Sequence, residues 1–294
     1  MKKRVVVSDV ILEIVKWTFL IFFTIATLYP IINTIAVSLN DGLDALKGGI
    51  YLTPRKFTLE NYKSVLTQST LLNAAFITVS RTVIATLLQV FLTSLLAYIL
   101  SRKEFLFRKP ITLLFIFTMY FNAGMIPNYL LMQRLHLLNT FLVYIIPGLL
   151  SAFNMLVIRT YMNGLSDSFV ESAQMDGASY LTIFWRIIMP LSKPVLATVA
   201  LFVAVGQWNS WFDAMLYNGF TQRLSTLQYE LMKLLSSVTN QSQSVESMKH
   251  SSSMVTPTSI RAATTIVTML PIVMLYPFLQ KYFIGGLTIG GVKE

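Results

Sequence analysis

Residues 72–100 read LNAAFITVSRTVIATLLQVFLTSLLAYIL, and Arg81 is the one charged residue among them. A helix needs roughly 20 apolar residues to cross the ~30 Å hydrocarbon core of a lipid bilayer. This stretch exceeds that length and contains neither Pro nor Gly to interrupt a helix. It therefore predicts a helix that crosses a membrane.

The composition of the whole chain is that of a membrane protein. Of its 294 residues, 54% are hydrophobic and 12% are charged, whereas a soluble domain has about 25% charged residues. Apolar stretches lie at residues 14–38, 72–100, 111–132, 138–158, 191–212 and 262–283. We expect an all-α, polytopic membrane protein with six transmembrane helices in a single domain covering residues 1–294.

Basic residues predict the orientation of the chain. The short segment 101–110 carries four of them, Arg102, Lys103, Arg108 and Lys109. Short cytoplasmic loops of membrane proteins are enriched in Lys and Arg, so we place this segment and both termini in the cytoplasm. The basic start of the chain resembles a signal peptide. The apolar run that follows it exceeds the usual length of about 7–15 residues, so we expect an uncleaved anchor.

Two longer segments are then expected outside. Residues 40–71 contain several glycines and Pro54, which predict an irregular structure. Residues 214–260 begin with a short amphipathic stretch at 227–235 and become polar at 236–253. Because a polar stretch of this kind cannot bury a core, we expect a mobile external loop there.

Arg81 has two interpretations. A charged residue inside a membrane span is costly, and the default hypothesis is a functional role. The structural alternative is that its side chain reaches outward from the overlong second span or pairs with a neighbouring subunit. The sequence alone leaves both interpretations open.

The residue types argue against several other function classes. The chain has no Cys and two His, His136 and His250, so we expect no metal site and no catalytic residues. The net charge of +10 fits basic cytoplasmic loops, and we expect no nucleic-acid partner. A membrane enzyme would need paired carboxylates or an activated nucleophile within the spans, and a channel would need a ring of charges. Neither pattern is visible, and both classes remain distant alternatives.

The segment between the fourth and fifth spans, about residues 160–190, predicts two helices joined by a turn. Ser168 and Glu171 have capping-box spacing, which favours a helix start at Ser168. Gly177 suits the left-handed turn that ends a helix, and Pro190 would stop the second helix after Met189. One apolar stripe along that second helix consists of Tyr180, Ile183, Phe184, Ile187 and Ile188. We expect a helix–turn–helix at the cytoplasmic face.

These residues resemble the EAA signature of permease subunits from ATP-binding-cassette (ABC) importers. The match runs from Glu171-Ser172-Ala173 through Gly177 to Pro190 without insertion, although Ser172 and Met189 depart from the usual alanine and leucine. Further matching segments, typical of the carbohydrate-importer branch and of its subgroup for polysaccharide fragments, are 97–102, 122–127, 137–140 and 206–212. The resemblance covers about residues 29–286.

The resemblance implies an assembly in the bacterial cytoplasmic membrane. Its expected partners are a second permease in a heterodimer, two ATP-binding-cassette subunits, an extracellular solute-binding protein, the lipid bilayer and an oligosaccharide. The chain has no G-x-x-x-x-G-K-[ST] phosphate loop, so ATP and Mg would bind the partner ATPases, with no cofactor and no catalysis on this chain. The residues expected to couple to the ATPase are Glu171, Ser172, Ala173, Asp176, Gly177 and Ala178.

A path for the substrate is expected at the outer end of the fifth span. Aromatic rings suit the C–H faces of sugars, and Asn or Asp suits their hydroxyl groups. The residues expected on this path are Trp208, Asn209, Trp211 and Asp213, together with Tyr120 and Asn122. The alternatives are an aromatic anchor at the membrane interface for the former group and a kinked span for the latter. A permease for peptides or polyamines is the alternative function.

Overall fold

The computed structural model describes residues 7–239 and 255–288, which are helical apart from turns, loops and an isolated β-bridge between Asn40 and Phe57. The mobile loop expected at 236–253 lies outside the described residues from 240 onward. The helices are α1 (Val7–Ser38), α2 (Gly42–Ala45), α3 (Glu60–Thr67), α4 (Ser69–Ser101), α5 (Arg108–Tyr120), α6 (Met125–Arg134), α7 (Ala152–Asn163), α8 (Ser168–Met175), α9 (Tyr180–Ile183), α10 (Met189–Leu191), α11 (Lys193–Asn209), α12 (Phe212–Asn218), α13 (Leu227–Thr239) and α14 (Pro257–Thr288).

Three of the six predicted spans coincide with continuous helices. These are α1, α4 and α14, each with a described apolar segment of 18 or more residues that is long enough to cross a membrane. The described residues contain three such helices, or up to six spans if each bent helix pair counts as one.

The other three predicted spans, 111–132, 138–158 and 191–212, are interrupted rather than continuous. α5 and α6 meet at 119°, two 3₁₀ turns at Phe141–Tyr144 and Ile146–Gly148 meet α7 at 47°, and the helical run Tyr180–Leu191 meets α11 at 80°. Each break has a local cause. Gly124 adopts φ 93° before α6, Ser151 caps α7, and Ser192 leaves helical geometry before α11.

The described residues fall into two compact units, one within Met1–Ser69 and Lys233–Met269 and the other within Thr70–Met232 and Leu270–Glu294. In the first unit, the apolar side chains of α1 are exposed along most of its length, as expected of a helix that faces lipid. The exposed run extends from Val10 to Ile35.

The segment 40–71 was expected to be irregular, yet a buried polar network orders it. The Asn40 amide donates to Asp44 Oδ2 at 3.1 Å, and the Arg55 guanidinium donates to the same oxygen at 3.0 Å. The Asn61 amide donates to the carbonyls of Ser38 and Asn40. The hydrogen bond from Asn40, with a further contribution from Arg55, lowers the pKa of Asp44. This network fixes how the chain leaves α1.

The second unit contains a core that joins the Ser101 end of α4 to α7, α8, α9 and α11. Its most deeply buried side chains include Leu100, Met155, Ile158 and Val199, each fully enclosed. α8 contributes Val170 and Ala173 to this core. A short helix of eight residues would be marginal by itself, so its packing on the core holds α8 in place.

Candidate functional site

The start of α8 differs from the predicted capping box. Ser168 is the first residue of the helix and Asp167 precedes it, with no side-chain cap bond at this end. Instead, the Ser166 hydroxyl accepts the Ser168 N–H at 3.3 Å. The predicted helix start at Ser168 is confirmed. The capping box itself is wrong, because Ser168 is already helical and the Glu171 N–H donates to the Asp167 carbonyl instead.

A salt bridge ties the start of α8 to the loop after α4. Lys103 Nζ donates to Asp167 Oδ2 at 2.6 Å. This hydrogen bond is the main reason why the pKa of Asp167 is lowered and that of Lys103 raised. Both side chains are largely exposed, so the pair orients the loop more than it stabilises the fold.

The turn after α8 confirms the sequence prediction. Gly177 adopts φ 78°. The Ala178 N–H donates to the Ala173 carbonyl and the Gly177 N–H to the Gln174 carbonyl, both at 2.9 Å. This double closure is the Schellman motif, which satisfies the last carbonyls of a helix and requires a left-handed residue. Gly177 therefore fixes the direction in which the chain leaves α8.

The second helix continues further than predicted. Its first turn, α9, is capped by Ser179, whose hydroxyl accepts the Thr182 N–H. A π-helical segment, Phe184–Ile188, follows and leads into α10. The expected stop before Pro190 is wrong. After the wide π turn, Pro190 lies at the start of a new α-helical segment, where its missing N–H costs little.

Three of the five residues of the predicted stripe are buried, one is half-buried and the first is exposed. Ile183 and Phe184 have no exposed surface and Ile188 is also buried, whereas Tyr180 is 52% exposed. Ile187 packs against the same core. The buried residues of the stripe thus pack the second helix against the same core that α8 contacts.

The six residues predicted to couple to an ATPase differ in exposure: two lie on the side of the helix–turn–helix that faces the core, and four lie on its exposed side. Ala173 is buried in the core and Ala178 is half-buried. The other four are exposed: Glu171, Ser172, Asp176 and Gly177. Met175, which the sequence did not single out, lies on the exposed face with 89% of its surface accessible. α8 is therefore a short helix with a buried inner face and an exposed outer face.

A second group of candidate residues surrounds Arg81, which is 1% exposed. Its guanidinium donates to both carboxylate oxygens of Asp213, at 3.2 and 2.5 Å. It also donates twice to Gln207 Oε1, at 3.0 and 2.7 Å, and its Cζ lies 4.3 Å from the centre of the Tyr144 ring. Arg81 therefore pairs within its own chain, and its side chain does not reach outward to solvent or lipid.

The Asp213 carboxylate accepts four hydrogen bonds, three of them on Oδ1. Besides Arg81, its Oδ1 accepts the Ser210 hydroxyl at 2.8 Å and the Ala214 N–H at 2.9 Å. These bonds close the break between α11 and α12. Gln207 and Tyr144 were not predicted to take part in this cluster. An unpaired Arg within a span requires an acidic partner, and Asp213, just beyond the fifth span, was the signal for this pairing.

The other residues expected on a substrate path lie at two breaks. Asn209 is exposed and Trp208 and Trp211 are half-buried where α11 ends. Tyr120 is 85% exposed at the end of α5. Asn122 lies in the break that follows, where its Oδ1 accepts the Gly124 N–H at 2.9 Å. The two sites are linked through α6, since Tyr129 stacks on Tyr217 of α12 at 6.3 Å.

The described chain is thus a helical membrane protein whose helix–turn–helix packs on the core of its second unit. Residues 89–289 match the family described as the binding-protein-dependent transport system inner membrane component, and the chain belongs to this family. It is a permease of the ABC importer type, which transports and does not catalyse a reaction.

Individual relatives match along most of their length. The chain is 33% identical over 281 residues to the polygalacturonan/rhamnogalacturonan transport system permease protein YtcP of Bacillus subtilis, covering 96% of this chain and 98% of that protein. It is 36% identical over 269 residues to protein LplC of the same species, covering 91% and 90%. A solved chain from a bacterial ABC transporter involved in the import of the acidic polysaccharide alginate superposes with a TM-score of 0.88 at 31% identity, covering 96% of this chain and 100% of that one.

Removing the Arg81 guanidinium should destabilise the protein strongly. In Arg81→Met the carboxylate of Asp213 loses its cationic partner, and breaking a buried ion pair costs roughly 3–5 kcal/mol. Because the Asp213 side chain is 24% exposed, we expect the lower end, about 3 kcal/mol. The measurement is the unfolding midpoint in detergent by intrinsic fluorescence.

Two further variants show whether the charge is responsible. Arg81→Met/Asp213→Asn should recover much of the lost stability, because Asn keeps an acceptor for Ser210 without a buried charge. Lys63→Met, which breaks an exposed pair with Glu60, should change the midpoint little. Equal destabilisation by the single and double variants would contradict this account of the cluster.

Proposed function

We propose that this chain is one of two permease subunits in an ABC importer, and that it carries oligosaccharides derived from polysaccharides across the bacterial cytoplasmic membrane. The observation that carries the proposal is the exposed outer face of α8, held on the core by Val170 and Ala173. The names of the relatives support the substrate class, since they include transporters for polygalacturonan/rhamnogalacturonan and for arabinooligosaccharides.

The proposed topology has six spans, three of them bent, in one permease domain with both termini in the cytoplasm. The distribution of basic residues supports this orientation, because the segment 101–110 carries four of them. The salt bridge from Lys103 to Asp167 then joins two cytoplasmic loops, as this topology requires.

In this assembly the coupling movement would enter at α8. The ATPase subunit would contact its exposed residues, among them Glu171, Ser172 and Asp176. A rigid-body shift of the ATPase would pass through the Schellman turn at Gly177 and the helical run Tyr180–Leu191 into α11. Short hydrogen-bonded links and buried side chains would keep this route stiff.

A cavity for the substrate would lie beside the break between α5 and α6. α5 has 13 residues and at 1.5 Å per residue spans about 20 Å, less than the ~30 Å of the hydrocarbon core. The non-helical residues 121–124 would therefore lie at membrane depth, and all four are exposed. Irregular backbone at that depth is tolerated only where protein covers it or where it lines a water-filled cavity.

The substrate would meet aromatic and amide groups along its path through the membrane. Tyr120 and Asn122 lie at the α5 break, and Trp208, Asn209 and Trp211 lie where α11 ends. Asp213, which the sequence also placed on the path, would act mainly by holding this end of α11 to Arg81, because both of its oxygens pair with that guanidinium.

The remaining partners would supply recognition and energy. An extracellular binding protein would deliver the oligosaccharide, a second permease would complete the path as a heterodimer, and two ATPase subunits would bind ATP and Mg. The absence of a phosphate-loop sequence supports the assignment of ATP hydrolysis to partners.

Transport should require the whole assembly. Membrane vesicles that contain this chain alone should show no uptake of oligogalacturonides with ATP inside. Vesicles that also contain the co-expressed second permease and ATPases should take them up when the binding protein is added outside. Labelled peptides and polyamines serve as competitor substrates. ATP-dependent uptake by the chain alone, or selective uptake of peptides, would overturn the proposal.

Replacing Gly177 by Val should uncouple ATP hydrolysis from uptake. A β-branched residue at φ 78° is strained by at least about 1 kcal/mol, and relief of that strain redirects the chain after α8. Space is not the problem, because a Cβ at this position would meet no atom within 4 Å.

Gly177→Asn is the matched control, because Asn adopts the left-handed conformation more readily. It should retain most of the uptake that Gly177→Val loses. Both are compared as uptake per ATP hydrolysed in complexes shown to be assembled. Full coupling in Gly177→Val would refute the role of the turn.

Truncating Trp211 should slow transport without loss of assembly. A path residue makes weak contacts that release what they admit, so Trp211→Ala should change the rate or half-saturation of uptake severalfold. An aromatic anchor at the interface would instead lower the amount of assembled complex and leave the kinetics per complex unchanged. Asn209→Ala, which removes an exposed amide with little apolar area, should alter kinetics only if the path interpretation holds.

A further inference from the structure

The side-chain amide of Gln207 is held at its oxygen and free at its nitrogen. Arg81 donates from Nε and Nη2 to Gln207 Oε1, at 3.0 and 2.7 Å. A guanidinium has donors only, so the amide oxygen must face Arg81 and the NH₂ group must point away from it. Gln207 is half-buried, but its Nε2 is not enclosed and donates to no described group. The amide therefore presents an oriented pair of N–H donors.

This amide lies beside the breaks of two interrupted spans. Gln207 Nε2 is 3.7 Å from the position that a Cβ on Gly148 would occupy. Gly148 ends the 3₁₀ turn Ile146–Gly148, just before the 47° bend into α7, and Gln207 lies two residues before α11 ends. Interrupted helices at membrane depth are typical of substrate sites in transport proteins, because the freed backbone lines a cavity rather than lipid. Room for a ligand is thus expected beside the NH₂ group.

The depth of this amide fits the proposed path. Arg81 precedes Ser101, the last residue of α4, by 20 residues, which is about 30 Å of helix and close to the thickness of the hydrocarbon core. With Ser101 at the cytoplasmic boundary, as the proposed topology requires, Arg81 and Gln207 lie near the outer boundary. Asn209 and Trp211, two residues of the proposed path, follow Gln207 closely at the same end of α11.

The charges around Gln207 favour an anionic group on the ligand. The guanidinium against the amide oxygen orients the amide dipole, with its positive end on the NH₂ group. The negative charge of Asp213 is offset by its two hydrogen bonds from Arg81. A carboxylate accepts hydrogen bonds and donates none, and a bond to an ionised acceptor is roughly twice as strong as a neutral one. In a sugar, the group with these properties is the carboxylate of a uronic acid.

We propose that Gln207 is a specificity-determining residue of the transport path, whose NH₂ group binds the carboxylate of an acidic oligosaccharide. Arg81 is the positioning residue, because it holds the amide in the orientation that binds. A neutral sugar meets the same donors with its hydroxyl or ester oxygens and gains less from them. This inference rests on the proposed function, and it names oligosaccharides that contain uronic acids as the preferred substrate class.

The test is direct binding of a sugar to the assembled permease and ATPase subunits in detergent, without the binding protein. Equilibrium dialysis measures labelled trigalacturonate. Its methyl ester is the matched probe, which keeps the rings and the acceptor oxygens but not the charge. Trigalacturonate should bind about tenfold more tightly or better, as expected for a charge-assisted hydrogen bond. Equal affinities, or no binding of trigalacturonate at millimolar concentration, would overturn the proposal.

Two replacements of Gln207 locate the site. Gln207→Glu keeps an acceptor for Arg81, so the cluster holds, but it loses the NH₂ group. Gln207→Met loses that group without adding a charge. Both should abolish most of the preference for trigalacturonate over its ester, whereas Gln68→Glu, at an exposed glutamine that follows α3, should leave the preference unchanged. If only Gln207→Glu loses the preference, the cause is charge repulsion, the NH₂ group is not the ligand, and the proposal fails.

Arg81→Lys tests the positioning role. A lysine can pair with Asp213, but its compact ammonium lacks the planar fork with which Arg81 holds both partners, so the Gln207 amide is released. The preference for trigalacturonate should fall in a complex that is still assembled, a change that a loss of stability alone does not produce. An unchanged preference would refute the role given to Arg81.

Uptake by the complete assembly separates this inference from the function on which it rests. If the assembly takes up oligosaccharides with ATP but shows no preference in the binding assay, the proposed function stands and this inference is overturned. If the complete assembly transports no oligosaccharide, the proposed function itself fails, and this inference with it.

Discussion

Arg81 is a charged residue inside a helix long enough to cross a membrane, so its guanidinium needs partners that neutralise it. Several elements of the second unit are arranged around Arg81 to supply them. Its partners come from three parts of the chain: Tyr144 in a 3₁₀ turn, Gln207 near the end of α11, and Asp213 in α12. In hydrocarbon an unpaired charge is costly, so these three elements cannot separate freely from α4. The break between α11 and α12 persists for the same reason. The chain must turn there to bring Asp213 back toward Arg81, and the Ser210 hydroxyl and the Ala214 N–H both donate to Oδ1 of that carboxylate.

The opposite end of the same unit depends on packing rather than charge. Val170 and Ala173 of α8 lie on a core shared with α4, α7 and α11. Small and apolar side chains let the short helix approach that core closely, and the Schellman turn at Gly177 fixes its exit. The exposed groups of α8 are thereby presented in one orientation. An interface between rigid bodies needs this, because a docking helix that swivels would absorb the movement of its partner.

The sequence predicted those features that depend on local chemistry or on hydrophobic length. The continuous helices α1, α4 and α14 follow from apolar runs, and the left-handed turn at Gly177 follows from an Asp-Gly pair at a helix end. The sequence allowed a kink near Tyr120 and Asn122 as an alternative, but it did not predict the size of that break or the breaks in the other two spans. Proline and glycine mark where a helix is weak, but the angle at Gly124 or Ser192 depends on what packs around it. The π segment that carries the chain through Pro190 is another such case, because it depends on burial of Ile183, Phe184 and Ile188. The sequence could indicate that Arg81 would pair with an acidic residue. The contacts of Arg81 with Gln207 and Tyr144 became visible only in the folded structure.

These two ends of the unit are joined by one helix. Only Ser192 separates α11 from the helical run Tyr180–Leu191, and α11 ends two residues after Gln207, which Arg81 holds. In the proposed coupling, a displacement that enters at α8 would meet a fixed point at the far end of α11. Because Arg81 anchors Gln207 and Asp213 to α4, α11 can pivot about that anchor more easily than it can slide along α4. The largest excursions of α11 would then occur near Ser192, and the groups around Trp208 and Asn209 would change their tilt more than their position. Such a change in tilt would weaken the contacts of these groups with a sugar while the path keeps its overall shape.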